Sequence, residues 1–391
     1  MIAGYGFSYR KNMGNRYTEE AIDLLRQMIS IPSPSFEEEA VSCHISRWLT
    51  DKDITHNRVR NNIIAVNSHF CPSKRTLMLC AHIDTVLPSP DYSFDPYRPD
   101  YAALGAEAPS FSEDNVVLGL GANDDGASVV SMTAAFRHYY DRDMPVNLML
   151  VLSTEEEKSG ADGMRFLWKD NFIRIDRNGK EEKVPAPEWA IIGEPTGMRA
   201  ATSERGLLVI DGEAHGISGH AARGDGQNAL YIALDDIDRL RNHVFGRISE
   251  RMGKVALNVT QINAGTAHNV IPDHCSFVVD IRPTELYTNG EILDELQAIC
   301  RSTLKARNLA NRSSATRDGS PLLECAGLLG IGTFSSPTTS DWMRIGCDAI
   351  KMGPGMSERS HRKDEFVYIK EIEDGIRQYI DYIGTFIKIQ K

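Results

Sequence analysis

The chain has 391 residues, of which 41% are hydrophobic and 25% charged, and carries a formal net charge of -11. That length suits two domains with separate cores, and no apolar run approaches the roughly 20 residues that cross a bilayer. The acidic balance offers no basic patch for phosphate binding, so neither membrane nor nucleic acid is expected as a partner, whereas a bound cation or a small cationic or zwitterionic molecule suits the charge.

The N-terminal stretch MIAGYGFSYRKNMGNRYTEE lacks the basic start, apolar middle and small-residue cleavage site of a signal peptide. It reads as an unprocessed, weakly ordered lead-in to a cytoplasmic protein. TEEAIDLLRQMIS then places Ile22, Leu25, Met28 and Ile29 at helical spacing, and SFEEEAVSCHISRWL predicts a second helix opened by Ser35 and Glu38 at capping-box spacing. IPSPS breaks the two apart. The seven cysteines show no C-x-x-C pair, which argues against a disulfide framework and against a thiolate zinc site.

Four short, nearly uninterrupted apolar runs follow: TLMLCA, NLMLVLS, WAIIG and DAIKMG. Runs of this kind are strands buried on both faces, and they alternate with helical patterns such as ASVVSMTAAFRHYY, so the fold class is α/β with a mostly parallel sheet. Between about Arg205 and Arg312 the pattern changes to strand, helix, strand, strand, helix: GLLVIDGEA, QNALYIALDDIDRLRNHV, KVALNVTQI, HCSFVVDIR and GEILDELQAICRSTL. That order is most of a split-βαβ, ferredoxin-like α+β sandwich. The expected domains are therefore 1–204 with 313–391, and an inserted 205–312. The final helix presents Ile369, Ile372, Ile376, Ile380 and Ile383 on one face.

In open α/β sheets ligands bind beyond the carboxyl ends of the strands. The residues there are His82 and Asp84 after TLMLCA, Glu155, Glu156 and Glu157 after NLMLVLS, and Glu194 after WAIIG. GLGANDDGAS places Asp124 and Asp125 in a glycine-rich turn at a helix start, and SHRKDE places His361 before the last helix. Taken singly, these read as a loop histidine, helix N-caps and a solvated glutamate run. Together they bring several carboxylates and imidazole to one sheet edge, a cluster too costly to bury without counter-charge. A divalent cation is the natural compensation, and imidazole with carboxylate suits zinc, cobalt or manganese.

AHIDTV, GLGANDDG, STEEEKSG, IGEPTG, GISGHAA, TAHNVIP, DIR, GPG and SHRKDE, in this order and spacing, resemble the M20 family of dinuclear-zinc metallopeptidases and deacylases, its acetylornithine deacetylase and succinyl-diaminopimelate desuccinylase branch in particular. The resemblance runs from about Tyr17 to the C-terminus. It implies a zinc-hydrolase catalytic domain, an inserted lid and dimerisation domain, a homodimer formed through it, and two divalent metals, zinc or cobalt, roughly 3.5 Å apart. By position, His82 and Glu194 would hold one metal, Glu157 and His361 the other, with Asp124 bridging. Asp84 would accept from the other ring nitrogen of His82, and a cis peptide would join Asp124 to Asp125. Glu156 would be the general base and His220 the oxyanion donor, with His215 as its rival. The triplet departs from the family's usual Asp-Glu-Glu-Gly, so base and ligand could slip by one, and Glu155 has no assigned role.

Arg282 and Asn269 would bind the substrate carboxylate and neighbouring polar groups, with a strand-edge ion pair and a turn-forming Asn as the plainer readings. Gly353 and Gly355 would admit the substrate close to backbone, or else form an ordinary tight turn. The implied reaction is removal of an acyl group from the α-nitrogen of a small N-acyl amino acid, first of all deacetylation of N-acetylornithine in arginine biosynthesis. Succinylornithine, acetylcitrulline and succinyl-diaminopimelate stand as alternatives, as do aminopeptidase or dipeptidase activity and, from another class, a non-catalytic binding module.

Overall fold

The strands Thr76–His82 and Asn147–Ser153 are buried at all seven of their residues. Alternation divides each strand between two cores. Leu77, Leu79 and Ala81 join Leu148, Leu150 and Leu152 on one face, while Met78 and Cys80 join Met149 and Val151 on the other. The computed structural model describes residues 3–104, 110–170, 172–177 and 179–391, with side chains from Arg16 onward. They divide into two compact units, one of residues 1–202, 316–334 and 340–391, the other of 203–315 and 335–339.

In the larger unit the sheet order is His56–Val59, Asn62–Val66, Asn147–Ser153, Thr76–His82, Trp189–Ile192, Asp348–Lys351, Ala200–Glu204. The four strands from Asn147–Ser153 to Asp348–Lys351 run parallel, and antiparallel pairings flank them. The parallel register puts His82 beside Ser153, and Ile192 beside both Cys80 and Lys351. The loops that follow these strands therefore leave one edge together. Helices Ala3–Ile29, Ala127–Tyr139 and Ile369–Ile389 cover one face through Leu25, Phe136, Ile376 and Ile383. The opposite face packs on Trp342, Trp168 and the hairpin strands Phe172–Arg177 and Lys180–Pro185.

The smaller unit is built on a four-stranded antiparallel sheet, in the order Ala256–Ala264, His274–Arg282, Leu208–His215, Thr303–Ala306. Helices Ala229–Asn242 and Asn289–Ile299 pack on its apolar face, where Ile210, Phe277, Val279, Ala233 and Leu296 meet. Thr288 and Glu291 form a capping box at the second helix.

The first helix runs from Ala3 to Ile29, and no proline before Pro32 interrupts it. The structure corrects two sequence-based expectations. Ser35 does not cap the second helix, which spans Glu39–Asp51 and has no side-chain cap bond. Its hydroxyl and the Glu38 carboxylate are engaged elsewhere, as described below. Finally, GEILDELQAICRSTL is not helical throughout. The buried Asp236 carboxylate accepts from the amides of Arg301 and Ser302, which draws the chain out of the helix and into Thr303–Ala306. No helix among the described residues is long and apolar enough to cross a membrane.

Candidate metal centre

His82 ends its strand and is 3% exposed. Its backbone N–H donates to Asp125 Oδ2 at 3.3 Å, Nδ1 lies 2.9 Å from the Asp84 carbonyl oxygen, and Nε2 lies 3.2 Å from Asp124 Oδ1. The ring is thus oriented from behind, with one nitrogen facing Asp124. Nδ1 meets the Asp84 backbone carbonyl most closely, with the Asp84 carboxylate 3.5 Å away as a charge partner, and the two oxygens of that carboxylate also accept from the amides of Glu156 and Glu157, each at 3.1 Å.

Asp124 sits in the one-turn segment Ala122–Gly126, and its peptide bond to Asp125 is cis. The turn is held by Glu365, which is 2% exposed. One of its oxygens accepts from the amides of Asn123 and Asp124 at 2.8 Å each, and the other from Gly121 at 3.0 Å. So fixed, Asp124 directs Oδ1 at His82 and Oδ2 at His361 Nε2, 3.6 Å away. His361, at a backbone φ of 58°, also lies 3.0 Å from Glu157 Oε1.

Glu194 completes the edge. One donor atom each from His82, Glu156 and Glu194 lies within 4.8 Å of the others, and the same holds for His82, Asp124 and Glu157. Two donor groups therefore share His82, and the second continues through Asp124 and Glu157 to His361. Glu156 stands as near to His82 and Glu194 as a ligand would, while it is Glu157 that contacts His361.

The electrostatics are those of a cation site. Burial, reinforced by Asp124 and Glu156, pushes Glu194 well above the usual carboxylate range. Burial also pushes Glu156 well up, with Asp341, Glu157 and Asp84 adding to it against the pull of His82. Against its own burial, His82 is pushed well up by its carboxylate neighbours Asp124 and Asp84. Burial raises Glu365 and Asp125 to about 8 each. Among the described residues, buried Asp125 Oδ1 has no hydrogen-bond partner. Carboxylates forced toward protonation around imidazole nitrogens fit one or two divalent cations that restore their charge. The donor set is imidazole with carboxylate, which suits zinc or cobalt.

The remaining predicted residues are placed as follows. The lack of a Cβ at Gly353 is required by the protein itself: a methyl group there would meet the backbone of Glu194 and the Ser128 hydroxyl. Gly355, at φ 83°, similarly packs against Asn123. His220, Asn269 and Arg282 belong to the smaller unit. His220 is exposed, its amide donating to Asp225 Oδ1 at 3.0 Å and its Nδ1 accepting from Ala222. His215 is exposed beside Glu213. Asn269 is exposed and accepts from the Ala221 amide through its carbonyl. Arg282 forks onto Asp280 at 2.8 and 3.0 Å, the ion pair of the plainer reading.

Sequence reading misses several residues. Glu365 lies inside SHRKDE without a predicted role. Asp341 is buried, accepts from Ser153 Oγ at 2.6 Å, and is pushed by burial to about 6. Arg344, one turn on, has Nη2 buried without a hydrogen-bond partner among the described residues, within electrostatic reach of Asp341 and Glu156. Glu155 gains a role: its Oε2 accepts from the Asp162 amide at 2.8 Å, closing the loop that carries its neighbours. Gly160 leaves room for that side chain.

Residues 202–308 match the family model described as a peptidase dimerisation domain, and residues 62–177 match that of peptidase family M28. The chain is 31% identical to a probable carboxypeptidase of Ajellomyces capsulatus over 410 residues, covering 94% of this chain and 86% of that protein. It is 26% identical to an acetylornithine deacetylase of Proteus mirabilis, covering 90% and 93% of the two. Its fold is similar to that of a Bacillus subtilis protein described as a dinuclear metal binding peptidase from the M20 family, with a TM-score of 0.66 at 16% identity over 96% and 98% of the two chains.

Proposed function

The chain belongs to the M20 family of metallopeptidases, and from that premise we propose that it hydrolyses an amide whose amine side bears a free α-carboxylate, as in an N-acyl amino acid. The observation that carries this is Arg344. A guanidinium nitrogen buried without a hydrogen-bond partner among the described residues, within electrostatic reach of Asp341 and Glu156, supports recognition of an anionic group. N-acyl amino acids present such a group. So do the C-terminal residues of peptides, and the 31% identical probable carboxypeptidase favours that second reading.

His82, Glu194, Asp124, Glu157 and His361 would hold two divalent ions, zinc by preference. Bound there, the ions supply Lewis acidity to the attacking water and to the scissile carbonyl. Glu156 takes a proton from that water and returns it to the leaving amine. Its amide is pinned to Asp84, so the carboxylate is presented from a fixed point. Burial, and after it the charge of Asp341, favour its proton-bearing form. His220 as oxyanion donor, and Asn269 and Arg282 as substrate contacts, rest on the resemblance alone. Dimerisation through the smaller unit, supported by the match to a peptidase dimerisation domain, also belongs to this proposal.

N-acetylornithine is the first substrate within it, on the name of the 26% identical relative and on the acidic net charge, which favours a cationic amino acid. The test is a panel of N-acetyl and N-succinyl amino acids, N-blocked dipeptides and free dipeptides, assayed with zinc and with cobalt. Turnover of N-acyl amino acids without turnover of free dipeptides supports the proposal. Cleavage confined to peptides with a free amine overturns the N-acyl amino acid assignment, and turnover undiminished when the carboxylate of the leaving amino acid is blocked as an amide overturns the carboxylate reading.

A further inference from the structure

Beyond Ser153 the sheet ends, yet four consecutive backbone amides remain satisfied, each by a side chain from elsewhere in the chain. Thr154 donates to Asn62 Oδ1 at 3.1 Å, Glu155 to Glu38 Oε1 at 3.2 Å, and Glu156 and Glu157 to the two oxygens of Asp84 at 3.1 Å each. Asn62, Glu38 and Asp84 are all at most 1% exposed. A buried acceptor in one geometry is a stiffer support than a solvated loop.

The acceptors are themselves held. Ser35 Oγ donates to Asp84 Oδ2 at 2.7 Å, which fixes the rotation of the carboxylate that carries both glutamate amides. Glu38 Oε1 also accepts from the Phe36 amide at 2.8 Å, so the segment that supplies Ser35 is closed on Glu38. The same segment is tied to the strand end through Ser35 N–H, which donates to the Thr85 carbonyl. Glu155 is held at φ 59°, a conformation that non-glycine residues seldom adopt without external support. It turns the chain so that Glu156 and Glu157, which would point to opposite faces of a strand, serve one edge.

We propose that Ser35 and Glu38, more than a hundred residues before the glutamate run, are positioning residues that set the direction of the Glu156 carboxylate through Asp84 and the Glu155 amide. The proposal rests on Glu156 being the base. Neither residue is among the donor groups that converge at the candidate metal centre, and each acts on the backbone from which Glu156 projects.

The test uses the metal-loaded full chain. In Ser35→Ala and Glu38→Ala, kcat on the best substrate of the panel falls roughly 10- to 100-fold, as for a misplaced reacting group, while KM and metal content stay at wild-type values. Amide hydrogen exchange at residues 154–157 accelerates in both variants, measured without substrate. Ser35→Thr and Glu38→Gln keep a hydroxyl donor and a carbonyl acceptor, and they recover most of kcat. Unchanged exchange at 154–157 overturns the proposal. So does a fall in kcat that tracks loss of metal or of folded protein in thermal unfolding. If Glu156→Ala turns over normally, the base lies elsewhere and the positioning role falls with it. The exchange data then still report whether Ser35 and Glu38 hold this loop.

Discussion

His361 Nε2 and Glu157 Oε1 lie 3.0 Å apart across 204 residues of sequence, with Asp124 Oδ2 3.6 Å from the same nitrogen. In metal-free protein a protonated His361 makes this an ion pair. The hydrogen bond to Glu157, against partial burial and with the charges of Glu157 and Asp124, raises His361 from 6.5 to about 8. Its folded pKa therefore exceeds its unfolded one. The stability it adds is fully present below about pH 6.5 and is lost as pH rises through about 8. Chelator-treated protein should show a thermal midpoint that falls across this window, and His361→Gln should remove that part of the fall. Cation binding needs the neutral ring, so titrating zinc into chelated protein at pH 7 should release protons, measurable as buffer-dependent heat.

Glu156 donates its amide to Asp84 Oδ1, and its carboxylate faces His82 and Glu194. Glu156→Ala should lower kcat by about two to four orders of magnitude, the range of a lost general base. Metal content should remain at the wild-type level, because Glu157 carries the contact to His361. Elemental analysis beside steady-state kinetics checks both halves. If the metal disappears along with turnover, Glu156 is a ligand and the assignments within the triplet shift by one.

Glu365 accepts from three amides of the turn that carries Asp124. Replacing it with Ala leaves those donors buried and unpaired, at a cost of about 1–3 kcal/mol for each, and frees Asp124 to move. Metal affinity should fall roughly 10- to 100-fold, as when the support behind a ligand is removed. Glu365→Gln keeps a carbonyl oxygen and should lose less of both. A competition titration with a zinc chelator reads the affinity, and thermal unfolding reads the stability.

The gathering of His82, the glutamate run and Glu194 is legible in sequence because parallel strands end at one edge, and fully apolar runs identify such strands before any coordinates exist. The supports behind these residues are less so. Ser35 and Glu38 have the spacing of a helix cap, and nothing local reveals that their side chains turn to Asp84 and to the Glu155 amide instead. The Asp84 carbonyl shares the ring nitrogen of His82 with the Asp84 carboxylate, an arrangement of two oxygens that only the fold decides. Glu365 and Asp341 look like surface acids in their own segments. Both are buried, Glu365 against the amides of the turn that carries Asp124 and Asp341 against the Ser153 hydroxyl.

On the proposed function, Arg344 receives the substrate carboxylate. Its buried Nη2 lacks a partner among the described residues, and a buried guanidinium donor left unpaired is costly. Asp341 and Glu156 already lie within its electrostatic reach, so removing the cation alters two properties at once. Substrate carboxylates lose their counter-charge, and the neighbouring acids lose an attractive neighbour. Arg344→Met should therefore raise KM for N-acyl amino acids by about 10- to 100-fold, equivalent to about 1.4–2.7 kcal/mol. It should have little effect on KM for the corresponding amides, which have no carboxylate to bind. Arg344→Lys should recover part of the binding, because a point charge replaces a two-pronged donor. Steady-state kinetics on matched acid and amide substrates separate these outcomes. An equal change in KM for both would remove Arg344 from substrate recognition and leave it as a structural counter-charge to Asp341.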